Sequence, residues 1–357
     1  MTRVLVLPRY SKNGASSRLR TLQYLDELAR RGIEFRIDSL FDDAYLEDLY
    51  AGRDVNWRRV LSAYRHRAGL RGSLGSFDAI WLEKEAFPWL SASVEQWFTR
   101  DTPVIVDYDD AIFHRYDQHT SRAVRRLLGD KIDVVMSNAA VVVAGNDYLA
   151  ERARSAGAQR VEIVPTVVDL RRYVVRDAAR ADGPFTVGWI GTPQTAHFLL
   201  EIAEALKRFN DSCDVRYVFV GCPAGLNLGV EYEARPWLES TEVADLRSFD
   251  VGVMPLVDAP FERGKCGYKL IQYMACAVPV IASPVGVNRQ IVTPAMTGYL
   301  ATTQDEWFAS LQTLLDDEPL AREIGARGRA LVEAKYSTQV VVPRLEAILR
   351  NPQGGIP

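Results

Sequence analysis

The 357-residue chain has few of the features that mark disulfide-rich, metal-binding, membrane-spanning or nucleic-acid-binding proteins. Its four cysteines form no CxxC pair, so we expect free thiols and no zinc site. No apolar run approaches the roughly 20 residues that a membrane-spanning helix needs. The net charge of -3 gives no reason to expect nucleic acid as a partner. Because strand-like residues begin directly after Met1, we expect no signal peptide and a cytoplasmic protein.

What the chain does contain is an alternation of short β-branched runs with segments of helical length. Nearly continuous apolar strands that alternate with helices are typical of parallel sheets covered on both faces. The length allows two domains, each with its own core. The sequence therefore predicts an α/β protein with two Rossmann-like domains facing each other across a cleft. We expect a first domain at 1–168, a linker at 169–183, a second domain at 184–335 and a tail at 336–357 that contains a helix at 340–349.

The segment 261–283 carries the clearest chemical signal. It predicts a polar loop with Gly264 and Gly267, a helix that opens near Lys265, and then a buried strand. Amide groups and the dipole at a helix N-terminus favour an anion. Lys265 and Lys269 would lie on one face of this helix, where cations oppose the dipole unless an anion lies between them. The placement predicts a bound diphosphate, with a solvated helix face as the alternative.

Five motifs of the second half follow one another in an order that resembles a known family. They are VGWIG (187–191), FVG (219–221), FDVGVMPL (249–256), KLIQYMA with PVIAS (269–275 and 279–283), and TGYL (297–300). In this order they resemble the carboxyl-terminal domain of GT-B glycosyltransferases, in particular the retaining enzymes of family 4. A weaker resemblance of the first half rests on the segments 13–20, 80–85 and 106–111. The resemblance also implies that the tail 336–357 crosses back onto the first domain through the helix 340–349.

Two positions depart from the acidic pattern of that family. The family carries two glutamates separated by seven residues, and the second, which binds the ribose, corresponds to Gln272. Its amide can still hydrogen-bond vicinal hydroxyls, with a buried amide as the alternative. The first corresponds to Gly264, so Glu262 is expected to contact the sugar in its place, with a plain surface carboxylate as the alternative.

The basic residues that the resemblance implies also differ. The family's Arg and Lys after the first strand of the second domain are absent from the Gly191-Thr192 loop, which we still expect to contact the donor. Arg263, Lys265 and Lys269 are expected to balance the charge of the diphosphate instead. In the first domain, Gly14 and Arg18 are predicted to lie on the donor side of the first βα turn. A surface role is the alternative for that arginine.

The first half also offers candidate catalytic and acceptor-side residues. Aspartates after a strand can hold magnesium or manganese in transferases of the other major fold. That fold has one nucleotide domain near its amino terminus, whereas this chain shows two units, so we predict no metal. Asp109 or Asp110 would then line the cleft and orient acceptor hydroxyls. Arg20 is predicted on the acceptor side, and His114 near the donor sugar, as the resemblance implies.

The segment 55–71 is basic, aromatic and helical. Such a helix can lie at an anionic membrane surface or hold a lipid-linked diphosphate acceptor. A second basic group, formed by Arg122, Arg125 and Arg126, falls in the same domain. A solvated helix docked on the sheet is the alternative, so we expect a cytoplasmic protein with peripheral contact to the inner face of the membrane as one outcome.

These observations predict a retaining glycosyltransferase that moves a sugar from a nucleoside diphosphate sugar to a hydroxyl acceptor, without a cofactor or metal. The acceptor would be a glycan, a lipid-linked molecule or a small metabolite. A nucleotide-sugar 2-epimerase of the same fold and a degenerate nucleotide- or glycan-binding protein are the alternatives. A nicotinamide oxidoreductase is disfavoured, because neither first βα turn carries GxGxxG.

Overall fold

The computed structural model describes residues 1–175 and 183–354, which form two compact units. The first unit contains Met1–Thr166, Arg263–Cys266 and the last helix of the chain, and the second contains Val167–Glu262 and Gly267–Thr338. The predicted linker 169–183 lies partly outside the described residues, because 176–182 are not among them.

The first unit is built on a six-stranded parallel sheet, as the alternating pattern predicts. Its strands are β1 (Thr2–Leu7), β2 (Ile33–Ile37), β3 (Ala79–Glu83), β4 (Val104–Tyr108), β5 (Val141–Ala144) and β6 (Val161–Ile163). The spatial order is β2-β1-β3-β4-β5-β6, so the direction of winding reverses between β1 and β3. Strands β3, β4 and β5 are buried along their whole length, as expected for strands covered by helices on both faces.

Nine helices of the first unit precede its last strand. They are α1 (Ala15–Arg20), α2 (Leu25–Arg30), α3 (Asp43–Tyr50), α4 (Trp57–Gly69), α5 (Ala92–Thr99), α6 (His114–Asp117), α7 (Arg122–Leu128), α8 (Lys131–Asn138) and α9 (Asp147–Ser155). Short polar side chains begin several of them: Asn146 accepts a hydrogen bond from the Leu149 amide at 3.0 Å, which satisfies one donor of the first turn of α9. Two 3₁₀ segments, Leu22–Tyr24 and Leu70–Ser76, complete the connections.

The second unit repeats the parallel six-stranded plan with a different winding. Its strands are β7 (Phe185–Ile190), β8 (Val215–Val220), β9 (Glu233–Arg235), β10 (Val251–Met254), β11 (Val280–Ala282) and β12 (Tyr299–Leu300). The order β12-β11-β10-β7-β8-β9 is that of a doubly wound dinucleotide-binding sheet, and winding reverses between β7 and β10.

The helices of the second unit cover both faces of this sheet. They are α10 (Ala203–Ser212), α11 (Glu242–Arg247), α12 (Pro260–Arg263), α13 (Tyr268–Ala275), α14 (Asn288–Ile291), α15 (Gln304–Asp316) and α16 (Glu318–Lys335), with a 3₁₀ segment at Pro193–Ile202. Two hydrophobic clusters fill the interior on either side of the strands, one around Tyr273 and the other around Trp189 and Trp307.

The last helix, α17 (Thr338–Arg350), contacts residues of the first unit. Its Glu346 pairs with Arg31 at 3.2 Å, and Arg350 donates to the Arg31 carbonyl. Just beyond the helix, the Asn351 carbonyl accepts a hydrogen bond from Arg160 at 2.9 Å. The helix begins two residues before the predicted 340, and Pro343 lies inside it.

Candidate functional site

The loops after β7 and β8 pack backbone against backbone at the carboxyl edge of the second sheet. The Gly191 amide donates to the Val220 carbonyl at 3.0 Å, and the Gly221 amide donates to the Arg235 carbonyl at 2.7 Å. A Cβ on Gly221 would lie 2.1 Å from the Gly191 carbonyl oxygen, and Gly221 has a φ of +77°. Glycine is therefore required here, next to the point where winding reverses and where sheets of this type bind ligands.

Helix α13 begins three residues later than its sequence predicts, which changes the positions of the two lysines. Its N-cap is Gly267, whose φ of 65° and ψ of 20° are left-handed, and its first residue is Tyr268. Lys265 thus lies before the turn, in the segment that belongs to the first unit, and only Lys269 is helical. The prediction that both lysines share one face of a helix is wrong, because the left-handed glycine breaks the helical spacing between them.

Lys269 occupies the second position of α13 and lies near β7. Its Nζ is 5.4 Å from the centroid of the Trp189 ring, a cation–π distance. Trp189 belongs to β7 and is buried, so the ammonium is kept close to the point where winding reverses. The positive end of the α13 dipole lies at the same place.

The Gln272 side chain is buried and has a partner inside the second unit. Its amide donates to the Tyr173 hydroxyl at 3.1 Å, and that hydroxyl donates to the Glu242 carboxylate at 2.5 Å. Trp237 donates to the other oxygen of Glu242 at 2.8 Å. Burial, together with the neighbouring Tyr268 and Glu242, raises the pKa of Tyr173 well above its ordinary value, so the hydroxyl keeps its proton. This network favours the structural amide over the ribose contact for Gln272.

Thr192 begins the 3₁₀ segment that follows β7. Its amide donates to the Thr195 hydroxyl at 3.2 Å, and that hydroxyl donates back to the Thr192 carbonyl at 3.0 Å. Pro193 follows in the first turn, where its missing amide hydrogen costs little. The side chain of Thr195 therefore fixes the shape of the Gly191-Thr192 loop.

The segment Arg263–Cys266 is held inside the first unit by its backbone. The Asn146 side chain donates to the carbonyls of Gly264, at 2.8 Å, and Lys265, at 3.1 Å. A Cβ on Gly264 would lie 2.5 Å from the Ala111 Cβ and 2.8 Å from the Ala111 amide nitrogen. The packing therefore requires glycine at the position where the resemblance predicts the first glutamate. The predicted substitute, Glu262, lies half-buried in α12, next to the exposed Arg263.

Arg20 belongs to the interior of the first unit. Its guanidinium bonds both carboxylate oxygens of Asp107, at 2.7 and 3.3 Å, and also donates to the Val164 carbonyl at 2.8 Å. The Arg20 side chain is 1% exposed. This is at odds with the acceptor-side role predicted for Arg20, because its donors are used inside the protein.

The neighbouring residues of the first βα turn are placed differently. A Cβ on Gly14 would lie 2.5 Å from the Tyr10 Cβ, so the protein's own packing already requires glycine there. Arg18 is half-buried, and its guanidinium donates to the Lys12 carbonyl at 3.1 Å. Arg18 therefore lies at the outer side of the same helix that buries Arg20.

Asp109 and Asp110, directly after β4, lie around the ammonium of Lys84. The Nζ atom is 2.8 Å from Asp109 Oδ1, 3.5 Å from Asp110 Oδ2 and 3.1 Å from the Ser16 hydroxyl. Burial by itself would raise the pKa of Asp109, but the Lys84 ammonium outweighs it and leaves that pKa below its ordinary value. Lys84 is the residue that sequence reasoning missed: in the sequence it is one cation between two glutamates, a pattern usual for a solvated surface.

His114 begins α6 and is bound at both ring nitrogens. Nδ1 lies 2.8 Å from an Asp117 oxygen, and Nε2 lies 2.8 Å from the Tyr148 hydroxyl. The ring is thereby fixed in orientation, with 9% of its side chain exposed. Within 1–175 and 183–354, no group of three or more His, Cys, Asp or Glu residues is arranged to hold a metal ion.

Comparison with known proteins finds a family match within the second unit. Residues 184–317 match the model of the family described as glycosyl transferases group 1. Among solved structures, the chain superimposes on Anabaena HepE in complex with UDP-glucose with a TM-score of 0.72, at 15% identity, over 98% of this chain and 100% of that one. This likeness shows the fold, which is GT-B and agrees with the predicted fold class.

Curated relatives match over different lengths. N-acetyl-alpha-D-glucosaminyl L-malate synthase of Bacillus anthracis is 33% identical over 100 residues, and the match spans 26% of each chain. D-inositol 3-phosphate glycosyltransferase of Xylanimonas cellulosilytica is 26% identical over 322 residues, covering 76% of this chain and 70% of that protein. The chain thus spans about a quarter of the length of the first of these relatives.

The contrast between Arg20 and Arg18 gives a testable prediction. Arg20→Met leaves the Asp107 carboxylate buried without its cation, so we expect the free energy of unfolding to fall by about 3–5 kcal/mol. Arg18→Met, on the same helix, should lower it by only about 0.5–1.5 kcal/mol, the usual net contribution of a hydrogen bond, because this half-buried guanidinium reaches the Lys12 carbonyl. Urea titration followed by circular dichroism measures both. Equal losses for the two variants would contradict the assignment of Arg20 to the interior.

Proposed function

We propose that this chain, whose residues 184–317 belong to the glycosyl transferases group 1 family, is a retaining enzyme that transfers a sugar from a nucleoside diphosphate sugar to a hydroxyl acceptor. The observation that carries the proposal is the start of α13 at the carboxyl edge of the second sheet. A left-handed glycine, a helix N-terminus and the ammonium of Lys269 coincide there, inside the residues that match the family.

The second unit supplies the donor side of this proposal. The Gly191 and Gly221 loops pack closely against each other at the carboxyl edge of this sheet, next to the point where winding reverses and where sheets of this type bind ligands. A diphosphate at the α13 N-terminus would be stabilised by the dipole and by Lys269. The HepE structure contains UDP-glucose, which supports a nucleoside diphosphate sugar as the donor.

The first unit supplies the acceptor side. Asp110, beside Lys84, is the proposed contact to acceptor hydroxyls, and His114, held by Asp117 and Tyr148, remains a proposed contact to the donor sugar. Arg263 and Lys265 remain proposed contacts to the diphosphate, and Glu262 a proposed contact to the sugar. As the diphosphate leaves, these cations would stabilise its growing negative charge. The leaving phosphate would accept the acceptor's proton, without a metal ion.

A panel of nucleotide sugars tests the function. We expect at least one donor to give a transferred product, with the anomeric configuration retained by NMR, in the presence of EDTA. Product analysis separates the alternatives, because a 2-epimerase would return an isomerised nucleotide sugar and a degenerate binding protein would return the donor unchanged. Activity that EDTA abolishes and manganese restores would contradict the metal-free mechanism.

Lys269 gives a sharper test of the donor side. We expect Lys269→Ala to weaken binding of the matching nucleoside diphosphate about tenfold, the loss of one charge-assisted contact. Lys207→Ala removes an exposed lysine of the same unit and should leave the affinity unchanged. Isothermal calorimetry with UDP, GDP and ADP measures the affinity. Equal dissociation constants for both variants and the wild type would remove Lys269 from the site.

We also propose peripheral contact of the first unit with anionic lipid through α4. The helix is anchored by buried Val60 and by Arg67, which donates to the Asp38 carbonyl at 2.8 Å. Its outer side presents Trp57, 74% exposed, and Leu61, 50% exposed, together with the exposed Arg58 and Arg65. An apolar strip bordered by cations suits the interface of an anionic bilayer. No helix in the described part of the chain is long and apolar enough to cross a membrane.

The membrane proposal predicts a dependence on two side chains. The double variant Trp57→Ser with Leu61→Ser should reduce co-sedimentation with vesicles containing phosphatidylglycerol at least severalfold, because each removes apolar contact area. Leu238→Ser removes an exposed leucine of the second unit and serves as the control. Binding should weaken with added salt. Equal sedimentation of the wild type and the double variant would exclude this surface.

A further inference from the structure

The three residues Glu83, Lys84 and Glu85 form a strained turn at the end of β3. The Glu85 amide donates to the Glu83 carbonyl at 2.7 Å, which closes a three-residue turn, and the central Lys84 has a φ of 64°. A turn of this kind with positive φ is rare and costs energy for a residue other than glycine. Such strain persists only where the surroundings impose it, and it is concentrated at functional sites.

The turn sends three consecutive charged side chains to three different groups of partners. Glu83 accepts hydrogen bonds from the Arg9 amide at 2.9 Å and the Ser17 hydroxyl at 2.6 Å. Glu85 pairs with Lys131 at 2.7 Å. Lys84 lies between these groups, and an extended strand, with its alternating side chains, would not direct all three inward in this way.

The partners of Lys84 come from two segments that meet the end of β3 at one edge of the sheet. Ser16 belongs to α1, after β1, whereas Asp109 and Asp110 follow β4. The winding of the sheet reverses between β1 and β3, and Lys84 follows β3. In open α/β sheets this is the place where ligands bind. The Lys84 side chain is 7% exposed and that of Asp109 13%, but that of Asp110 is 27% exposed, so Asp110 is the member that reaches solvent.

We propose that Lys84 is a positioning residue that holds the Asp110 carboxylate, together with Asp109, in the orientation in which it binds an acceptor hydroxyl. This inference rests on the proposed transferase function and adds a residue to it. The lysine does not itself contact the acceptor, because its ammonium is surrounded by Asp109, Asp110 and Ser16. The strained turn fixes the position of Lys84, and its ammonium fixes the carboxylates of Asp109 and Asp110. The Asp110 carboxylate, which reaches solvent, then orients the acceptor hydroxyl.

The test is Lys84→Met, which keeps the length of the side chain and removes its charge. We expect kcat to fall by about a hundredfold, the usual effect of a small misplacement of a reacting group. The dissociation constant for the nucleoside diphosphate, measured by calorimetry with UDP, GDP and ADP, should stay within about twofold, because Ser16, Asp109 and Asp110, around the ammonium of Lys84, are not among the proposed contacts to the diphosphate. Lys207→Met is the matched control and should retain the wild-type kcat.

Two further variants keep the test decisive. Asp110→Asn combined with Lys84→Met should lose no more activity than Asp110→Asn alone, since the lysine acts through that carboxylate. Ser16→Ala leaves both ion pairs in place and should fold even if Lys84→Met does not. It should lower kcat severalfold with unchanged nucleotide affinity, a loss in line with a single weakened contact.

The outcomes are distinguishable. An active wild type whose kcat is unchanged in Lys84→Met and in Ser16→Ala would overturn the positioning role while leaving the transferase function intact. Fully additive losses in the double variant would overturn it as well, because independent effects exclude action through Asp110. A wild type that transfers sugar from no donor of the panel would overturn the proposed function and, with it, the role of Lys84.

Discussion

The first unit depends on the compensation of charges that its parallel sheet buries. Strands β3, β4 and β5 are covered on both faces, so charged residues at their carboxyl ends are drawn out of water. A buried charge is tolerated only when paired. Asp107 is paired with Arg20, Asp109 with Lys84, and Glu85 with Lys131, each within 2.8 Å. These pairs tie α1, β3, β4 and α8 together, and so they determine which carboxylate remains at the surface.

The carboxyl edge of the second sheet is organised by close backbone packing. There the loops come together through glycines, and the approach of Gly221 to the Gly191 carbonyl leaves no room for a side chain. Polar groups such as Gln272, Tyr173 and Glu242 are bonded to one another in the interior. The positive end of α13 and the ammonium of Lys269 lie at this same edge. The first unit thus pairs its buried charges with one another, whereas the second unit brings its loops together through backbone contacts.

The sequence predicts much of the fold, because alternation of strands and helices is a local pattern. This pattern predicts the strand-rich segments of both sheets. The contact of the last helix with the first unit is predicted less directly, from the resemblance to GT-B glycosyltransferases. The start of α13 could not be placed, since only the left-handed conformation of Gly267 separates Lys265 from the helix. Nor could the partner of Arg20, which lies 87 residues away in Asp107. Lys84 escaped notice because charge pairing across strands leaves no trace in the local sequence.

The departure at Gly264 has a physical cause that bears on the chemistry. The glutamate that the resemblance predicts at this position is incompatible with the 2.8 Å that a Cβ would leave to the Ala111 amide nitrogen. Asn146 further holds the backbone in place through the carbonyls of Gly264 and Lys265. Under the proposed function, a carboxylate contact to the sugar would therefore come from another position, and Glu262 is the acidic residue two positions before Gly264. The packing around Gly264 thus directs the test of the proposed donor contacts to its neighbours.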